Sequence, residues 1–459
     1  MKRILSIAML ALAFAGSIVA GEYGKYYRHL PVPMAEPQLP SIPDNSVMLT
    51  EFGGTPDGVT DNTEAFARAV AALSKQGGGH LIVPAGLWLT GPIVLKDRID
   101  LHLEKNAMVL LTPDRTAHLK DGKVQPGISA AKRTDISITG EGIIDGNGEW
   151  WRGVKRGKVS DTEWNAFRRM GGTVTPKGDL WYPFNLRHFP DIADTYEAQE
   201  KMRTHLVRFT DCERVLLRGV ILQNSPKFHL VPQRCREVTI DGVTVRCPWN
   251  AQNGDGIDIG NCRNVLIVNN VIDVGDDGIC MKGGAGEQGL GYGPCENILI
   301  EDNTVFHAHG GFVIGSEFSG GMYNIVVRNN TFSGTDTGLR FKSAPERGGK
   351  TGNIWISDIY MSDIQGEAVV FETAYADRPI GHDDAVAPES QAFLPDFCDI
   401  HIARITCRDC RIGIRASGTL RTIHDITLTD CLFFYTEEAS RIDDPGMLRL
   451  DDVRFETYR

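Results

Sequence analysis

The sequence predicts a mainly β protein, a parallel β-helix (solenoid) with an N-terminal capping helix. Three observations carry that prediction. Short segments of one form recur: Arg214-Val-Leu-Leu-Arg-Gly-Val, Glu237-Val-Thr-Ile-Asp-Gly-Val, Asn264-Val-Leu-Ile-Val-Asn-Asn-Val, Asn297-Ile-Leu-Ile-Glu-Asp-Asn-Thr-Val, Asn324-Ile-Val-Val-Arg-Asn-Asn-Thr-Phe and Asn353-Ile-Trp-Ile-Ser-Asp-Ile, with weaker copies from Asp399 and Asp425. Each alternates at period two and then bends at Asn, Asp or Gly, residues that tolerate left-handed backbone. No helix-period segment separates the units, so each coil must bury its inward face on its neighbours. A length of 459 residues would by itself suggest about three domains. A solenoid grows by adding coils instead, and a single domain over residues 21–459 is expected.

In chain order, residues 1–20 read as a secretory signal. Lys2-Arg3 form a charged start, Ile4 to Val19 are apolar or small, and Ala20 is a cleavage residue. The expected location is therefore secreted or periplasmic. The apolar run is too short for an anchor, and no other stretch is a candidate membrane span. Residues 21–47 are rich in proline and read as extended. Asp61 or Asn62 is a fitting N-cap for an amphipathic helix near 62–75, stopped at Lys75-Gln76-Gly77. Such a helix would cover the open strand edges of the first coil. Strands follow at Gly79-His-Leu-Ile-Val-Pro, Leu87-Trp-Leu-Thr and Ile99-Asp-Leu-His-Leu, and the first clear coil begins at Ile136.

Residues 150–203 break the rhythm with Trp150, Trp151, Trp164, Trp181 and Tyr182 among many charges. An insertion of this kind marks either the binding face of a solenoid or a packed side-lobe. The loop 374–394 is a second interruption. Residues 436–459, after the last coil, read as peripheral.

A net charge of −11 argues against nucleic acid or an anionic membrane as partner. It does not exclude an anionic substrate, because local charge decides binding. Ten cysteines in an exported chain suggest disulfides. Their placement suggests otherwise: Cys212, Cys235, Cys262, Cys295 and Cys398 all fall just before the repeat's first strand. That is a stacked ladder of small apolar residues, with room for one or two disulfides. Cys407-Arg-Asp-Cys410 has metal spacing but ends a strand, and reads as structural.

The chemistry-bearing stretch is 253–342. Asp255 and Asp277 stand 22 residues apart, His309 follows Asp277 by 32, and Lys342 follows His309 by 33. Each interval is close to one coil, and residues one coil apart stack on one face, roughly 4.8 Å from each other. Asp255, Asp276, Asp277, His309, Arg340 and Lys342 are therefore expected in one patch. Arg340 and Lys342 alternate, so both point the same way. Asp276 and Asp277, being adjacent, can share a face only at a bend, which Gly275 and Gly278 would permit. Asp258, Asp273 and Asp302 read as bend residues capping backbone amides, and His307 as structural.

Four signatures here resemble those of the polygalacturonases, glycoside hydrolase family 28: Asn253-Gly254-Asp255, Gly275-Asp276-Asp277, Ala308-His309-Gly310 and Arg340-Phe341-Lys342. They depart from the family's pattern at Gly254, Ala308 and Phe341, none of them ionisable. Gly142-Ile-Ile-Asp-Gly-Asn-Gly, Asn224-Ser-Pro and Gly310-Gly-Phe-Val-Ile-Gly-Ser-Glu317 match as well, and the form around Glu317 looks most like bacterial exo-acting members. The resemblance covers residues 50–432. It implies a right-handed β-helix and hydrolysis of α-1,4-galacturonosidic bonds of pectic polysaccharide with inversion, without metal or cofactor. Asp276 is then the general acid, Asp255 and Asp277 hold and deprotonate the water, and His309 orients the acid or the sugar.

The residue chemistry is compatible with these roles. Glycoside hydrolysis needs one carboxylic acid and one carboxylate, and crowded carboxyls raise one another's pKa so that one keeps a proton. Arg340 and Lys342 would grip the carboxylate of each galacturonate, with Asn253 and Lys282 in the same substrate-binding set and Arg347 and Lys350 as possible extensions. Three rivals use the same solenoid: a Ca²⁺-dependent pectate lyase, a rhamnogalacturonan hydrolase, and a non-catalytic adhesin. The sequence leaves the oligomeric state open.

Overall fold

The computed structural model describes residues 21–183, 200–376 and 390–458. The leader at 1–20 lies outside them, as do parts of the two interruptions, 184–199 and 377–389.

The chain winds into a right-handed parallel β-helix whose strands stack coil on coil in three ladders. One ladder begins at Ser46–Met48 and runs through Gly79–Val83, Ile99–Leu103, Thr134–Gly140 and the first strands of the repeats. A second runs from Gly86–Thr90 through Ile143–Asp145 to Val271–Asp273. The third carries the site. It passes through Ile128–Ala131, Val207–Thr210 and Leu230–Gln233 to four strands we label β1 (Ile257–Gly260), β2 (Ile279–Lys282), β3 (Phe312–Ile314) and β4 (Leu339–Lys342). Ile257, Ile279, Phe312 and Leu339 stand in one row along it.

Inside, the apolar positions of all three ladders form one continuous core. The helix α1 spans Thr63–Lys75 and buries Phe66, Ala69, Val70 and Leu73 in the same core. Asn62 occupies its N-cap without capping it, because the Asn62 Oδ1 accepts from Thr55 N. Asp61 Oδ1 accepts from Thr63 N instead.

Asparagine has two separate jobs at the bends. Asn264, Asn297, Asn324 and Asn353 all have φ between 54° and 58°. Their side chains form an amide ladder, each donating to the one before it. The second asparagine of each Asn-Asn or Asp-Asn pair lies inside. Asn270, Asn303 and Asn330 are fully buried and pass hydrogen bonds along the axis, Nδ2 to Oδ1, at 2.8 and 2.9 Å. The cysteine ladder behaves as expected: Cys212, Cys235, Cys262 and Cys295 belong to the core, Cys398 is buried, and all ten cysteines are free thiols.

Two readings of the sequence need correction. Residues 436–459 are not peripheral: Leu448–Thr457 pairs in parallel register with Ile426–Tyr435, so the described part of this segment forms a further coil. The alternation also fails on one outer face. Leu266, Val268, Leu299 and Val326 are buried there, because Tyr23 and Tyr26 of the N-terminal segment pack over them. Tyr23 Oη donates to Asp241 Oδ2 at 2.8 Å and Gln38 N to Glu237 Oε2 at 2.9 Å, which straps this segment along the solenoid.

The insertion folds as a small lobe with helix Asp161–Arg169 and a three-stranded antiparallel sheet. Trp151, Trp164, Trp181 and Tyr182 are buried within it. These four aromatic side chains are therefore packing, whereas Trp150 is exposed, and Lys155, Lys158 and Lys201 face the site.

Candidate active site

Four ionisable groups of the site sit where one coil rises into the third ladder, while Asp258, Lys282, Arg340 and Lys342 stand on its strands. Asp255 precedes β1, Asp276 and Asp277 precede β2, and His309 precedes β3. Backbone bonds keep the bends in step: Gly256 N donates to Asp277 O at 2.9 Å, His309 N to Asp276 O at 2.8 Å, and Gly278 N to Gly310 O at 2.9 Å. Gly275 and Gly278 are needed for close approach. A Cβ on Gly275 would stand 2.5 Å from Ala251 O, and one on Gly278 would stand 2.9 Å from Val305 Cγ1.

The Asn224-Ser-Pro segment supports this frame. Ser225 N donates to His229 Nε2 at 3.2 Å, and His229 Nδ1 lies 2.9 Å from Asp255 O. That pairing fixes a neutral tautomer in which Nδ1–H donates. Burial agrees, pushing His229 down to about 4.

The structure brings together all eight residues expected to act: Asp255, Asp276, Asp277, His309, Arg340, Lys342, Asn253 and Lys282 line one cavity of about 1320 Å³. Asp276 accepts from Asn253 N at 2.9 Å and from Asp277 N at 3.1 Å, and His309 Nδ1 is 3.0 Å from its Oδ1. Lys342 Nζ donates to Asp277 Oδ2 at 2.7 Å, with Arg340 Nη1 3.5 Å from Oδ1. Burial pushes both carboxyls up. For Asp276 the His309 hydrogen bond and nearby cations outweigh it, and for Asp277 chiefly Lys342 does, so both lie below the usual carboxylate range.

Asp255 goes the other way. It is buried, its Oδ1 has no hydrogen-bond partner, and burial together with Asp258 and Asp276 raises it well above the usual range. Asp258 corrects the sequence reading. It caps no amide and stands on β1, opposite Cys280 of β2, in the row that continues through Val313 to Arg340. Both of its oxygens lack hydrogen-bond partners, and burial pushes it up to about 7 against the opposing pull of Lys282, 3.8 Å away. The signal was present in the sequence: Ile257 and Ile259 point inward, so Asp258 must point outward. Asp273 and Asp302 accept from the side chains of Trp249 and Asn329 rather than from backbone amides. His307 is structural in its contacts, stacked on Trp249 with ring centroids 4.3 Å apart.

Other lining residues could not be found in the sequence. Lys158 of the insertion donates to Gly275 O at 2.8 Å, and its Nζ is 3.3 Å from His309 Nε2. Arg203 Nη2 donates to Asn253 Oδ1 at 2.8 Å. Tyr375 lies under both cations, its ring centroid 5.5 Å from Arg340 and 5.1 Å from Lys342. Arg347 does not line the cavity but supports its wall, donating to Tyr375 O and standing over the Tyr375 ring 5.5 Å from its centroid, and Lys350 is exposed and does not line the cavity. Nine Lys and Arg line the cavity against eight Asp and Glu, in a chain whose net charge is −11. Positive charge is thus concentrated where an anion would enter.

Asp276, Asp277 and His309 present donor atoms within 4.8 Å of one another, a spacing that suits a cation. Lys342 already occupies Asp277, so a divalent ion would have to displace a buried ammonium. Among the described residues, no helix is long and apolar enough to cross a membrane.

Comparison with known proteins agrees with this geometry. The family description "Glycosyl hydrolases family 28" matches residues 158–387, half of the chain. An exo-poly-α-D-galacturonosidase of Dickeya chrysanthemi is 29% identical over 384 residues, 79% of this chain and 62% of that protein. The chain thus spans less than two thirds of that relative's length. An endo-polygalacturonase of Pectobacterium carotovorum is 26% identical over 411 residues, 88% of each protein. The crystal structure of a hyperthermoactive exopolygalacturonase from Thermotoga maritima superposes with a TM-score of 0.75 at 30% identity, covering 92% of this chain and 94% of that one. With its signature residues gathered in one cavity of a parallel β-helix, the chain belongs to glycosyl hydrolases family 28.

Proposed function

We propose that this protein hydrolyses α-1,4-galacturonosidic bonds of polygalacturonate or its oligomers, from the chain end, by single displacement with inversion. The observation that carries the reading is the pairing of a carboxylate cluster with Lys342 and Arg340 in a cationic cavity. A substrate with a carboxylate on every sugar would be held by the same charges that hold Asp277 ionised.

Asp276 protonates the leaving oxygen, and Asp255 and Asp277 position and deprotonate the water. By the surrounding charges and burial alone, Asp276 sits low while Asp255 and Asp258 sit high. A bound uronate changes that balance. Its negative charge beside Lys342 and Arg340 offsets those cations and raises Asp276, which can then hold the proton. His309, tied to Asp276 on one side and facing Lys158 on the other, orients the acid.

The insertion's Lys155, Lys158 and Lys201 and the later loop's Tyr375 wall the cavity, which favours exo action. Substrate of this kind is met outside the cytoplasm, in keeping with export directed by residues 1–20. N-terminal sequencing of the mature protein tests the export.

The test of the activity is the mass of the earliest products from polygalacturonate with a chelator present. Saturated monogalacturonate alone is expected. A ladder of saturated oligomers would refute the exo reading. Unsaturated products, or activity abolished by the chelator, would favour the lyase instead. No cleavage would turn attention to rhamnogalacturonan.

A further inference from the structure

Away from the cavity, a second group of ligand-type side chains converges. Asp396 and Cys398 lie just before the strand Ile400–Ser417, and His424 lies just before Ile426–Ile442 on the next coil. A parallel bridge between Phe397 and Ile423 holds these two approaches together. The Cys398 Sγ, an Asp396 oxygen and a His424 ring nitrogen all fall within 4.8 Å of one another.

Three features distinguish this group from an ordinary surface ion pair. The donor set is mixed: one sulfur, one imidazole nitrogen and one carboxylate oxygen. The imidazole is oriented from behind, since His424 Nε2 is 3.0 Å from Asp396 Oδ1 while Nδ1 is 2.7 Å from Asp425 Oδ2. A carboxylate on the far ring nitrogen is what fixes the tautomer of a metal-bound histidine. Exposure is graded as well: Cys398 is buried at 3%, whereas the His424 and Asp396 side chains are 34% and 31% exposed, which leaves a path in and a place for a bound water.

We propose that Asp396, Cys398 and His424 bind one divalent cation of the zinc class, which clips two successive coils together. Hard ions such as Ca²⁺ and Mg²⁺ prefer all-oxygen sites, so sulfur and nitrogen donors select against them. Ligand atoms in a tetrahedral zinc site stand roughly 3.5 Å apart, and side-chain rotation of about 1 Å closes this triad to that spacing. On binding, the Cys398 thiol loses its proton to solvent and gives up the bond it donates to Thr351 O. Lys350, whose backbone bridges to Asp396, helps balance the negative ligands.

The test uses Co²⁺ alone, added in one equivalent to the reduced full-length protein. A thiolate-to-cobalt charge-transfer band with intense tetrahedral visible bands is expected, displaced by Zn²⁺. Cys398→Ser should abolish the charge-transfer band, and His424→Ala should weaken binding at least tenfold, with turnover of oligogalacturonide unchanged. Asp277→Asn should keep the band. A missing band in the unmodified protein, or one that persists in Cys398→Ser, overturns the proposal. If the serine variant does not fold, unaltered cobalt affinity in His424→Ala overturns it equally.

Discussion

Asp276 and Asp277 are sequence neighbours with different partners, His309 for one and Lys342 for the other. Asp276→Asn should reduce turnover of oligogalacturonides at least about a hundredfold with the fold intact. Much of that loss should vanish on an aryl galacturonide, whose leaving group needs no proton. If Asp255→Asn is the variant relieved on the aryl substrate, the acid is Asp255, as its raised carboxyl would allow. Lys342 has two jobs in this geometry. Burial raises Asp277 and the neighbouring cations, Lys342 first among them, together outweigh it, so Lys342→Ala should move the Asp277 carboxyl upward. Water activation needs that carboxyl ionised, so the acidic limb of the kcat/KM profile should shift to higher pH, with Lys342→Arg restoring it. A pH–rate profile that rises in KM without moving its limb would leave Lys342 as a substrate contact only.

The stability of the coils rests on two kinds of asparagine ladder, and these should respond differently to substitution. Asn303 donates to Asn330 Oδ1, Ile267 O and Glu301 O and accepts from Asn270, all in the interior. Orphaning buried polar groups costs about 1–3 kcal/mol each, so Asn303→Ala should lose at least ~2 kcal/mol in urea unfolding. Asn297 sits at φ 56° on the half-exposed ladder. Asn297→Gly keeps that conformation available and should cost under ~1 kcal/mol. Equal losses would mean that the interior amides are not individually satisfied. The repeat made both asparagines visible, but it could not separate them. Both sit at a polar bend, and only the coil's path shows which one turns inward.

Across the whole molecule, buried titratable groups pull in opposite directions. Burial holds His229 at about 4, below its unfolded value of about 6.5. The unfolded chain therefore takes up that proton first, and this contribution to stability is present above about pH 6.5 and lost as pH falls toward 4. Asp258, raised to about 7, acts in the reverse sense, binding a proton in the native state and favouring it as pH falls through the same window. The net pH dependence should be flatter than either group alone would make it. Comparing the protein with His229→Gln isolates the first effect. Their difference in unfolding free energy should change by about 3 kcal/mol between pH 7 and pH 4, and a constant difference would mean that His229 is not held neutral.

The solenoid and the patch itself were legible in the sequence because both are periodic. Alternation places Arg340 and Lys342 on one face, and coil-length spacing sets Asp255 against Asp277 and brings His309 to the same bend, where the register puts it one position off, opposite Asp276. The same rule applied to Ile257-Asp258-Ile259 would have recovered Asp258. Lys158 and Arg203 carried no such signal: Lys158 meets His309 across 151 positions, from a lobe with no repeat, and Arg203 meets Asn253 across 50. Nor could the chain say that Trp151, Trp164 and Trp181 would be packing while Lys155, Lys158 and Lys201 faced the site. Which carboxyls keep protons was likewise left to the tertiary structure. Periodicity is a local property that a sequence states outright, whereas a pKa is set by burial and by the summed field of charges that only folding brings within a few ångströms.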